Sequence, residues 1–184
     1  MRLFTGIELP AEIKTRLARL LDTLRPTARI KWSPVGNLHL TTKFIGEWPD
    51  ERLDELVVAL RSLPPRAPVH IAVRNLGWFP NPSSPRVFWA GLHAGPGLAE
   101  LARETERSLG RLGVPVEGRA YSPHLTLARI KEPVSLTALR AAVDTLAAPD
   151  FGQFLADRFY LYQSTLKPTG SEYLQLAEFL FQRP

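Results

Sequence analysis

Apolar residues recur along this chain with two different periods, and the changes of period lay out its elements. Residues 3–9 alternate and cluster as a short strand. Pro10 then stands where a helix can begin, because the N–H it lacks is one that the first helical turn leaves unbonded anyway. Ile13, Leu17, Leu20, Leu21 and Leu24 follow at helical spacing, and Pro26 ends the helix. Residues 30–32 read as extended and 33–37 as a turn. Residues 38–45 predict a strand closed by Gly46, and Pro49-Asp50 opens a helix carrying Leu53, Leu56, Val57 and Leu60. Residues 69–79 form another strand, and the run 80–85, rich in proline and serine, is a loop. Residues 86–92 are a strand ending in a Gly95-Pro96-Gly97 turn, followed by a helix with Leu98, Leu101, Thr105 and Leu109. Residues 124–130 read as a strand, and Ser135 is placed to cap a helix with Leu139, Val143 and Leu146. Two strands, 154–166 and 173–181, complete the chain, joined by Lys167-Pro168-Thr169-Gly170.

The same order, strand, helix, strand, helix, strand, occurs in both halves. Phe4 and Phe88 begin similar strands 84 residues apart, and the proline-led helices at Pro49 and Pro133 keep that spacing. The expectation is an α+β fold: one bilobal domain over residues 1–184 with an internal repeat of about 84 residues. The two lobes should be related by an approximate two-fold, each an antiparallel-rich sheet with helices outside. A cleft between them would be the active site.

Within the repeat, one word is used twice. His39-Leu40-Thr41 and His124-Leu125-Thr126 lie 85 residues apart at equivalent places, in a chain with only 4 histidines. In a strand, residues i and i+2 share a face, so each copy presents an imidazole and a hydroxyl together. Two imidazoles can divide the duties of base and acid, one deprotonating water and the other protonating a departing alkoxide. Hydroxyls can donate to phosphoryl oxygens, where charge gathers in the transition state. The other histidines, His70 and His93, lack the threonine and read as structural or exposed.

Composition narrows the alternatives. The 184 residues are 45% hydrophobic, with no apolar run near the ~18 residues that cross a bilayer. With no cysteine there is no disulfide, thiolate nucleophile or Cys-based zinc site, and the histidine spacing is not that of a zinc motif. The lack of cysteine fits a reducing cytoplasm, and the start is too short and too acidic for a secretory signal. The net charge is +5, and 18 of 23 basic residues are arginine, whose forked guanidinium matches phosphate. No dense basic block occurs, so a small or terminal phosphate suits the pattern better than a long polyanion.

The segments His39-Leu40-Thr41-Thr42-Lys43-Phe44-Ile45-Gly46-Glu47 and Ser122-Pro123-His124-Leu125-Thr126-Leu127-Ala128-Arg129 resemble the paired HxTx motifs of the 2H phosphoesterase superfamily. Within it the chain most resembles the 2′-5′ RNA ligase group, also described as RNA 2′,3′-cyclic phosphodiesterase. Arg2-Leu3-Phe4, Phe79-Pro80, Arg86-Val87-Phe88-Trp89 and the late Ser164, Leu166, Gly170 and Tyr173 add to the likeness. The resemblance implies opening of a ribose 2′,3′-cyclic phosphate to a 2′-phosphomonoester with neither metal nor cofactor. It makes His39 the proton donor to the leaving 3′ oxygen and His124 the acceptor, with Thr41 and Thr126 holding phosphoryl oxygens. In the reverse, ligating direction the histidines exchange roles. Partners would be RNA ends with a 2′,3′-cyclic phosphate, or small oligonucleotides, met by a monomer. A nucleotide-phosphate-binding module without catalysis, and a phosphodiesterase for small cyclic nucleotides, are the alternatives.

Five neighbours are candidates for substrate contact. Phe44 and Tyr121 offer rings to a base; Arg129, Lys43 and Arg86 offer charge to phosphates. Strict alternation puts Arg129 on the Leu125 face, so the strand must bend or end before it for Arg129 to join His124.

Overall fold

Thirteen strands and α-helices are laid down in the computed structural model, which describes residues 1–168 and 170–181. In chain order these are β1 (Arg2–Glu8), α1 (Ala11–Leu24), β2 (Lys31–Trp32), β3 (His39–Glu47), α2 (Leu53–Arg61), β4 (Val69–Phe79) and β5 (Val87–Ala94). There follow α3 (Pro96–Gly110), β6 (His124–Arg129), α4 (Thr137–Asp144), β7 (Asp150–Ala156), β8 (Arg158–Lys167) and β9 (Gly170–Leu180).

The strands form two antiparallel sheets, ordered β3-β1-β8-β9 and β2-β6-β5-β4-β7. The two orders correspond around the motifs: each motif strand, β3 or β6, pairs with the strand that opens its half, β1 or β5. The fold is therefore α+β, as the alternating periods predict. The halves do not fold separately, however. β4 follows α2 of the first half yet pairs with β5, and β8 follows β7 of the second half yet pairs with β1. The helices cross as well: α1 packs against β7 and α4, while α3 packs against β3 and α2. One continuous apolar core results, with Leu17, Leu40, Leu56, Ile71, Phe88, Leu101, Leu125 and Leu161 all essentially inaccessible. Each such side chain contributes roughly 1.5–3 kcal/mol through removal from water.

Helix-period residues behave as expected. Ile13, Leu17, Leu21 and Leu24 form the buried stripe of α1, and Leu98, Leu101, Thr105 and Leu109 that of α3. Three local expectations are corrected. Gly95-Pro96-Gly97 is not a free turn, because Pro96 and Gly97 are already the first turn of α3, where proline is well suited. Ser135 does not cap α4; its hydroxyl bonds Thr137 Oγ1 and the helix starts after Leu136 without a side-chain cap. The run predicted as one strand over 154–166 breaks at Asp157, whose carbonyl accepts the Phe181 amide at 2.7 Å, and the two pieces enter different sheets. Apolar alternation continues across that break, so periodicity cannot reveal it. The predicted joint 167–170 is the β8–β9 hairpin, with Thr169 outside the described residues.

Candidate active site

Both motif strands carry the same irregularity. Along β3 the register against β1 slips at Thr5/Gly6, so Thr42 is an extra residue between Thr41 and Lys43. Along β6 the register against β5 slips at Phe88/Trp89, making Leu127 the extra residue between Thr126 and Ala128. A bulge puts two successive residues on one side and reverses the alternation beyond them. Thr42 and Lys43 are accordingly both buried, as are Leu127 and Ala128. Phe44 and Arg129 emerge on the opposite side, 52% exposed in the case of Phe44. Phe44 lies 6.2 Å from the ring of Phe4, which itself stacks on His39 at 4.5 Å. Arg129 acts electrostatically on His124. The bulges thus turn Phe44 and Arg129 to the faces of the two histidines.

The histidines are oriented in the same way. Nδ1 of His39 meets the carbonyl of Asn37 at 2.7 Å, and Nδ1 of His124 meets that of Ser122 at 2.8 Å, two residues upstream in each case. A carbonyl can only accept, so Nδ1 carries the proton and Nε2 is left for chemistry. On His39 that atom accepts from Thr41 Oγ1 at 3.0 Å. Aromatic rings pack against both imidazoles. Phe4, Tyr162 and Tyr173 surround His39, and Phe79 meets His124 edge-on at 5.0 Å. Burial drives the His39 pKa down to about 4, with the Lys14 ammonium adding to the effect and the Asn37 bond opposing it. His124 is also lowered by burial, with Arg129 contributing and the Ser122 bond opposing. Both imidazoles are therefore neutral near pH 7 in the free protein. A bound phosphate anion between them favours protonation of one, since an opposite charge at short range raises an imidazole pKa.

The two motifs lie together. Strands β3 and β6 approach within 8 Å between Cα atoms, although they belong to different sheets. The Tyr121 hydroxyl, three residues before His124, donates to the Thr41 carbonyl at 3.0 Å. Burial pushes the Tyr121 pKa up, so the phenol stays protonated as that donor. Ser33 does the same for the second motif, its hydroxyl donating to the Thr126 carbonyl at 2.8 Å.

A family model described as LigT like Phosphoesterase matches residues 7–89 and again residues 93–173, one match over each motif. The chain belongs to the LigT-like phosphoesterase family. Among its relatives is the RNA 2′,3′-cyclic phosphodiesterase of Methanocaldococcus jannaschii, 35% identical over 178 residues, covering 97% of this chain and 99% of the relative. The RNA 2′,3′-cyclic phosphodiesterase of Thermus thermophilus is 35% identical, covering 97% and 89%. The crystal structure of TT0787 of Thermus thermophilus superposes with a TM-score of 0.84 at 30% identity, covering 100% of this chain and 99% of that one. E. coli LigT complexed with 3′-AMP gives a TM-score of 0.81 at 27% identity, covering 99% and 98%.

One candidate contact in this LigT-like chain is relocated. Lys43 is no substrate ligand: it is 3% exposed, and its ammonium donates to Glu106 Oε1 at 3.1 Å and the Pro115 carbonyl at 2.7 Å. The β3 bulge turned it inward, where it ties the motif strand to α3. Arg86 is exposed just before β5, one step past the Val87–Arg129 pair; its carbonyl accepts the Ile130 amide at 2.9 Å, and its guanidinium lies 3.4 Å from the Lys131 carbonyl. Tyr121 serves first as the tie to Thr41. The aromatic surround was not assigned from sequence. Tyr162 could have been found from its alternation with Tyr160, and Asn37 from its place two residues before His39. No helix is long and apolar enough to cross a membrane among the described residues.

Proposed function

We propose that the protein is a 2′,3′-cyclic phosphodiesterase acting on RNA ends or small oligonucleotides, with two imidazoles as its acid and base. The observation that carries the reading is the doubled constellation: histidine, threonine and an outward residue past a bulge, on two adjoining strands, each histidine fixed with Nε2 free of the proton. His124, whose Nδ1 bond lies at an exposed position, takes a proton from water. The water oxygen bonds to phosphorus, the P–O3′ bond breaks, and protonated His39 hands its proton to O3′. The product is a 2′-phosphomonoester with a free 3′-hydroxyl. Thr41 and Thr126 donate to the non-bridging oxygens, Arg129 offsets the phosphate charge, and Phe44 stacks on the terminal base. Both histidines belong to one chain, so a monomer suffices, and this acid–base route needs no metal.

An oligonucleotide ending in a 2′,3′-cyclic phosphate, incubated with the protein and EDTA, should gain one water and yield the 2′-phosphate by mass analysis. A His39→Ala, His124→Ala double variant that keeps wild-type activity would overturn the assignment. Nucleotide binding without turnover of any cyclic phosphate would point instead to a binding module.

A further inference from the structure

On the Asn37 side of His39, and lined in part by His39 itself, lies a cavity of about 440 Å³. Small-molecule sites commonly measure roughly 300–1,000 Å³, so it has room for a nucleoside. Its walls include the rings of Tyr162 and Tyr173 together with Glu8, Lys14 and Gln175. The polar groups are already joined. Gln175 Nε2 donates to Glu8 Oε2 at 3.2 Å and to the Tyr162 hydroxyl at 3.3 Å, and Lys14 pairs with Glu8 Oε1 at 3.4 Å. The Lys14 charge is matched by the Glu8 carboxylate, so this is a poor seat for a phosphate. Tyr162 is buried with its ring stacked on Phe4 at 4.9 Å, so the half-buried Tyr173 ring is the aromatic surface open to a flat base. The Gln175 amide and Glu8 carboxylate suit its hydrogen-bonding edge and ribose.

Position narrows the occupant. In an in-line displacement the attacking and leaving oxygens lie on opposite sides of phosphorus. With His124 on the water side and His39 at O3′, the ribose and the RNA attached to it lie on the His39 side. Phe44 and this cavity flank His39 along β3 in opposite directions, Phe44 beyond Thr41 and the cavity beside Asn37. We infer that the cavity is a second nucleoside subsite, taking the residue 5′ of the one that bears the cyclic phosphate while Phe44 stacks on the terminal base. The inference rests on the proposed reading of His39 as the acid. It makes the protein selective for an RNA end over a mononucleotide.

The test is an affinity ratio, which does not depend on turnover. Calorimetric titration would compare the dinucleotide ApA carrying a terminal 2′-phosphate with adenosine 2′-phosphate. One stacked base contributes about 1–3 kcal/mol, so the dinucleotide should bind at least about five-fold more tightly. Gln175→Ala, which removes the amide, and Leu174→Trp, which fills the cavity from its exposed rim, should each collapse that ratio toward one. Equal affinities for the two ligands in the wild type would overturn the inference. So would a ratio that survives in both variants with unchanged melting temperatures, or an equal loss for both ligands. Failure to hydrolyse any cyclic phosphate would count against the proposed function instead, and the ratio would still be read.

Discussion

Phe44 and Arg129 occupy the same step of the two motif strands, five residues past His39 and His124, and each is brought to its histidine's face by a bulge. The two bulged strands therefore carry different side chains at equivalent places, an aromatic face on β3 and a guanidinium on β6. The two should fail differently. Phe44→Ala should raise KM by roughly 5- to 150-fold, the equivalent of one lost base stack, with kcat little changed. Arg129→Ala should lower kcat/KM by about 10- to 100-fold, and Arg129→Lys should recover only part of it, because a point charge does not reproduce the fork. Steady-state kinetics on one oligonucleotide substrate separates the two patterns.

The pH profile has a defined place. The base must be neutral and the acid protonated, yet burial holds His39 at about 4 and His124 below the ordinary 6.5. The profile of kcat/KM reports the free enzyme, so it should be a bell with its maximum between about 4 and 6.5. Activity falls above that window as both imidazoles lose their protons and below it as both gain them. Lys14→Met removes a charge that lowers His39 and should move a limb of the bell upward. A maximum above pH 8 would contradict these assignments.

Lys43 should matter for stability rather than catalysis. Removing one partner of a buried ion pair costs about 3–5 kcal/mol where the other stays buried, and somewhat less here because Glu106 is 24% exposed. Lys43→Met should therefore lower the denaturation midpoint by an amount equivalent to about 2–4 kcal/mol. Once folded, it should retain kcat. Urea unfolding with activity measured at low temperature checks both halves of the statement.

Gly77 is fixed by an indole. A Cβ there would lie 2.2 Å from Trp89, whose ring packs on Phe79 at 5.1 Å, and Phe79 in turn packs on His124. Trp89 Nε1 is buried without a partner among the described residues, so the ring is held by shape rather than by a hydrogen bond. Gly77→Ala should displace it, shift tryptophan emission and lower stability by about 1–3 kcal/mol. Activity should fall through His124, whose position depends on that stack.

The helices and the two motif strands were legible because they follow from periodicity and from repeated residues. The bulges were not. Neither Thr42-Lys43 nor Leu127-Ala128 contains the glycine or proline that marks an irregular strand. Only the demand that Arg129 join His124 hinted that alternation must fail. Lys43 goes inward for that reason, since strict alternation would put a residue four past His39 on the His39 face. The exchange of strands between sheets was equally silent. Residues 150–167 read alike on both sides of Asp157, and tertiary pairing alone decides which sheet receives them.

That exchange sets an order of assembly. The sheet bearing His39 gains β8 and β9 only from residues 158–180, whereas the strands β4 to β7, which include His124, are contiguous and can pair as they emerge during synthesis. The motif translated first is thus the one completed last, its imidazole waiting for Tyr162 and Tyr173 from the end of the chain. A chain truncated before β8 would keep every residue of both motifs and still leave Phe4 alone against His39, without the two tyrosines that close around it.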